Sequence, residues 1–108
     1  MRRRLRAIVV VAGSVALTVP APALANNQLE YGKHLSGECT TCHKLDGSGG
    51  QQIPPITGWT PAEFVSIMTL YKNGLRVNPA MESVAKSLDD EQMQALAAYF
   101  GSLPKGKK

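Results

Sequence analysis

Cys39-Thr40-Thr41-Cys42-His43 is the stretch that decides how this chain is read. Two cysteines three positions apart, followed at once by histidine, form a covalent haem-attachment pattern. The spacing has a chemical reason. Two thiols bond the two vinyl groups along one porphyrin edge, and the turn between them carries the next residue beneath the iron. The histidine then supplies an imidazole nitrogen as proximal ligand. The chain of 108 residues holds only these 2 cysteines. Competing uses of the motif fit less well. A redox-active Cys-x-x-Cys pair belongs in a βαβ pattern, and no strand-like run is present to host one. A zinc site takes four ligands, usually as two separated pairs. Here Cys39, Cys42, His43 and His34 would all have to come from one short segment. A disulfide across two residues closes too small a loop to stabilise much.

The N-terminus has the form of an export signal. Arg2, Arg3, Arg4 and Arg6 precede an apolar run from Ala7 to Val19, then Pro20 and Ala23-Leu24-Ala25. A basic start, a short apolar core and an A-x-A ending predict a signal peptide over residues 1–25, cut after Ala25. The apolar core is shorter than the roughly 20 residues a membrane span needs, and an uncleaved anchor is the alternative. Cleavage changes the charge balance. The net +4 comes from 12 basic and 8 acidic residues. Four of the basic residues lie in the leader, so 8 of each sign remain in residues 26–108. The calculated pI of about 9.3 therefore gives no support for nucleic-acid binding. About 83 residues suffice for one small domain, marginal for a self-sufficient core. A buried haem would add a large flat apolar surface for helices to pack on.

In chain order, Asn27 with Glu30 predicts a capping box opening a helix through Tyr31 and Leu35 toward Gly37. Tyr31, Leu35 and Cys39 recur at four-residue steps, so one face points inward. His34 is a second candidate ligand, read here as a surface helix residue. Lys44 to Gln52 is loop by composition. Ile53-Pro54-Pro55-Ile56-Thr57-Gly58 follows, an extended loop whose carbonyls are free. One of them can accept from the second ring nitrogen of an iron-bound histidine, which fixes its tautomer. Thr60, Pro61 and Glu63 open a second helix, with Phe64, Ile67, Met68 and Tyr71 on its inner stripe and Gly74 ending it. Asp89 and Gln92 open the last helix, whose stripe is Met93, Leu96, Ala97 and Phe100. Pro104 stops it ahead of Lys105, Lys107 and Lys108.

The occupant of the sixth iron position separates a carrier from a catalyst. Met68 and Met93 belong to helical apolar stripes, where methionine is usually core filler. Met81 follows Asn78-Pro79-Ala80, a segment expected to be kept from regular helix by Pro79, with a short helix running from Met81 to Leu88. Met81 is thus the candidate distal ligand. The alternative is an open or otherwise occupied position.

Taken together, the capped first helix, CTTCH, the P-x-I-x-G loop, Met81 and the terminal LAAYF resemble the small monohaem class I c-type cytochromes. That resemblance implies an all-α fold of three to four short helices packed around one covalent haem c. It implies His43 and Met81 as iron ligands and the Pro54 carbonyl as acceptor for His43. It also implies that the first and last helices cross near Gly32 and Tyr99. The runs YKNGLR at 71–76, AM at 80–81, LDDE at 88–91 and ALAAYF at 95–100 are similar to the cytochrome subunits of flavocytochrome c sulfide dehydrogenases. That family usually has serine where this chain has Asp89. The implied role is electron transfer in the periplasm, either as the electron-accepting partner of a flavoprotein or as a freestanding carrier. A haem enzyme with an open iron is the other class, and no distal histidine is evident for it. Lys33, Lys44, Lys72, Arg76 and Lys86 either surround the exposed haem edge or are ordinary solubilising charges.

Overall fold

Five helices follow one another in the computed structural model, which describes residues 6–18, 21–50 and 52–106. They are α1 (Ala21–Leu35), α2 (Gly37–Thr40), α3 (Pro61–Lys72), α4 (Pro79–Ser87) and α5 (Asp90–Ser102). No strand occurs among the described residues, and the fold is all-α. The short α2 is a single turn beyond the three to four helices expected. Arg2, Arg3, Arg4, Val19, Pro20, Gln51, Lys107 and Lys108 lie outside the described residues.

Local chemistry sets most of the helix ends. Thr60 Oγ1 accepts from the Glu63 amide at 3.2 Å, while Glu63 Oε2 accepts from the Thr60 amide at 2.9 Å. Asp89 and Gln92 make the same reciprocal pair at 2.8 and 3.0 Å. Each box satisfies two amides that a helix start leaves without partners. The Glu63 carboxyl is held below its ordinary pKa by those Thr60 hydrogen bonds. α3 closes with Gly74 at φ 73°. Its amide donates to the Tyr71 carbonyl at 3.1 Å, and the Leu75 amide reaches the Leu70 carbonyl at 2.9 Å. This paired closure needs a left-handed residue that glycine adopts without strain.

Two helix starts differ from expectation. α1 begins at Ala21, upstream of Asn27, and runs through Ala25. The alanines and Leu24 ahead of Asn27 are strong helix formers, so they extend the helix past its expected cap. α4 starts at Pro79, which occupies the first helical position instead of excluding helix. That position has no amide obligation, and proline's fixed φ suits it. Leu88 is the C-cap of α4 and not a residue of its helical body.

The core is Phe64, Met68, Ala85, Met93, Leu96, Ala97 and Phe100, drawn from α3, α4 and α5. Phe64 and Phe100 stack with centroids 5.8 Å apart. The expected stripes of α3 and α5 thus meet face to face. Residues 6–18 take no regular secondary structure. Their large apolar side chains are 79% to 93% exposed, so this run contributes nothing to the core. Among the described residues no helix is long and apolar enough to cross a membrane.

α1 reaches this core by crossing α5 at Gly32. A Cβ on Gly32 would lie 2.7 Å from both the Ala95 carbonyl carbon and Tyr99 Cβ, and nearer still to the Ala95 oxygen. The helices touch backbone to backbone, as the family resemblance implies. Gly32→Ala is therefore expected to cost about 2–3 kcal/mol, the upper range of overpacking. The thermal midpoint of the haem-loaded protein would fall by roughly 10–20 °C. An unchanged midpoint would show that the crossing is loose.

Candidate haem site

The turn that follows α1 builds the attachment motif. Ser36 is buried, and its hydroxyl donates to the Lys33 carbonyl at 2.7 Å. α2 then carries the chain to Cys39 and Thr40. The His43 amide donates to the Cys39 carbonyl at 2.8 Å, so Cys39 and His43 sit one helical turn apart on one side. Cys39 is half-buried against the core, Cys42 is exposed, and both are free thiols. Burial raises the Cys39 thiol pKa above its ordinary value, and the neighbouring Glu38 carboxylate adds to that rise.

His43 is oriented by one contact. Its Nδ1 lies 2.7 Å from the Pro54 carbonyl oxygen. A carbonyl can only accept, so Nδ1 carries a proton, and the tautomer this selects leaves the Nε2 lone pair available. The loop between them is shaped to allow this. A Cβ at Gly49 would lie 2.7 Å from the Ile53 carbonyl oxygen and 3.3 Å from that of Cys42, so the chain folds back on itself there. Farther along, the Gly58 amide donates to the Phe100 carbonyl at 3.0 Å, tying the proline loop to the end of α5. Gly58 has φ 76° and packs on Lys105, two reasons for a residue without a side chain.

Met81 lies in the first turn of α4. The Asn78 side chain caps that helix by accepting from the Met81 amide at 3.1 Å. Met81 is half-buried and packs on the core from its edge. Met68 and Met93 are 5% and 3% exposed and form part of the core itself. His34 is exposed in the last turn of α1. Among the described residues no three His, Cys, Asp or Glu side chains converge in a way that could hold a metal ion. The zinc alternative thus lacks its ligand cluster.

The side chains suit a haem. An imidazole with a committed tautomer and a thioether would suit as a pair of iron donors. Two cysteines beside the imidazole, not joined to each other, are what thioether attachment requires. Leu45 and Ile53, in the loop that carries His43 to Pro54, are 46% and 36% exposed, apolar surface that a flat porphyrin would cover. Sequence reading named His43, Pro54 and Met81 but not the Asn78 cap or the Gly49 approach. The Asn-Pro pair was the available signal for the cap.

A family model described as cytochrome C oxidase, cbb3-type, subunit III matches residues 25–100. The chain belongs to this cytochrome c family. The cytochrome subunit of sulfide dehydrogenase from Chlorobaculum tepidum is 36% identical to it over 92 residues, covering 83% of this chain and 84% of that protein. A thiosulfate dehydrogenase electron acceptor from Stutzerimonas stutzeri is 32% identical over 68 residues, 61% of this cytochrome but only 32% of the relative. The solved structure of cytochrome c4 from Acidithiobacillus ferrooxidans superposes with a TM-score of 0.64 at 30% identity. That match covers 70% of this cytochrome and 49% of the c4 chain. The class I c-type fold and the likeness to sulfide dehydrogenase cytochrome subunits agree with the sequence reading.

Proposed function

We propose that this cytochrome carries single electrons through one haem c, bonded to Cys39 and Cys42 and ligated by His43 and Met81. The 2.7 Å contact between His43 Nδ1 and the Pro54 carbonyl carries the reading, because it leaves Nε2 alone for iron. When bound, the haem supplies a one-electron couple between ferrous and ferric iron. The chain's own residues decide how that couple is used. The Pro54 carbonyl holds the imidazole in one tautomer and increases its basicity. The Met81 thioether is a soft donor that would favour ferrous iron and would hold it opposite His43. Ligation by methionine and histidine together would raise the potential of that couple. With His43 and Met81 both holding the iron, substrates would have no place on the metal. Electrons then cross at a small, short-lived protein interface.

The chain is exported to the periplasm with its leader cut after Ala25. The exposed apolar run at residues 6–18, which adds nothing to the core, supports that reading. The comparison of lengths supports one choice of partner. The sulfide dehydrogenase cytochrome subunit aligns with this chain nearly end to end, which favours a flavoprotein as electron donor. The freestanding carrier is the second reading, favoured by the partial match to the electron acceptor of thiosulfate dehydrogenase.

Two measurements check these statements. Ferric holoprotein is expected to show the weak far-red band of methionine-bound iron. Met81→Ala abolishes it, whereas Met68→Leu, a core substitution, keeps it. A band that survives Met81→Ala removes Met81 from the iron. Purification from the native host under low salt is expected to bring down a flavoprotein in one-to-one ratio. Elution of the cytochrome alone assigns it as a free carrier.

A further inference from the structure

Lys72 is the last residue of α3, and its side chain is half-buried. Its Nζ donates to the Leu88 carbonyl at 2.6 Å, a charge-assisted contact. Leu88 is the C-cap of α4, so that oxygen belongs to the acceptors a helix end leaves unpaired. The negative end of the helix favours a cation at the same point. One ammonium thus joins the C-terminal ends of two helices.

α4 needs such a contact. It has nine residues, too few to be stable alone, and only Ala85 of it is fully buried. Asn78 fixes its N-terminal end through the Met81 amide. The loop leading into it is pinned by Arg76, whose guanidinium lies 5.2 Å from the Tyr71 ring centroid and whose amide donates to the Leu70 carbonyl. At the other end, the Lys72 contact is the side-chain tie to α3.

We infer that Lys72 is a positioning residue for the distal ligand. It anchors the C-terminal end of α4 against α3 and so fixes the approach of the Met81 sulfur at the opposite end. The inference rests on Met81 ligating iron. It also takes Lys72 out of the set of lysines that project freely at the surface.

The test uses ferric holoprotein, with imidazole as competing ligand. Lys72→Met is expected to weaken the far-red band and to raise imidazole affinity about tenfold, the equivalent of about 1.4 kcal/mol. Lys72→Arg keeps a charged donor in reach of the Leu88 carbonyl and restores both readings toward the unsubstituted values. Lys33→Met removes the same charge from an exposed site on α1 and leaves both unchanged. If Lys72→Met yields no holoprotein, acetylation of the unsubstituted holoprotein decides. Lys72 then reacts more slowly than Lys33, and faster once imidazole has displaced the methionine, because the coupling is reciprocal. A band that depends on Met81 but is indifferent to Lys72→Met, or equal acetylation of Lys72 with and without imidazole, overturns the inference. A far-red band that survives Met81→Ala instead defeats the ligand assignment beneath it.

Discussion

The hydrogen bond from His43 Nδ1 to the Pro54 carbonyl is the contact on which the rest of this structure turns. It settles which ring nitrogen holds a proton, and hence which one would be free to face a metal. Everything near it serves that geometry. Gly49 lets the loop return, the prolines hold it extended, and Gly58 fastens it to the Phe100 carbonyl at the end of α5. α5 is in turn seated by Ala95 and Tyr99 against Gly32, on the helix that leads into the cysteines. Attachment motif and proline loop are therefore both referred to the same helix.

The methionine side is organised differently. No long helix carries Met81. A nine-residue segment does, capped by Asn78 and tied back at its far end by Lys72. Its hold on the core is Ala85, with Met81, Val84 and Leu88 packed partly against the same cluster. Local stability is lowest where few apolar contacts anchor an element. The Met81 side chain is thus held by the less firmly anchored element and the His43 imidazole by the more firmly anchored one.

Much of this was legible in residue order because it depends on near neighbours. CTTCH is readable because the distance between two vinyl groups dictates the spacing. The boxes at Thr60 and Asp89 and the glycine closure at Gly74 are each settled among near neighbours in the chain. The stripes of α3 and α5 declared the core, since period alone decides which side chains share a face. What failed depended on context. Asn27 was expected to start α1, yet the alanines before it prolong the helix, and no residue after Asn27 reveals that. Pro79 was read as a helix breaker, although at the first helical position it is favoured. The Lys72 contact spans 16 residues and the Gly49 approach is a meeting of loop backbones. Neither leaves a periodic trace.

The central claim is a porphyrin bonded covalently to Cys39 and Cys42. Mass spectrometry of the exported protein, denatured in acid, tests it most directly. The expected result is a single species, cut after Ala25 and heavier than its polypeptide by one haem. A chain at its bare polypeptide mass, with both thiols open to alkylation, would contradict it.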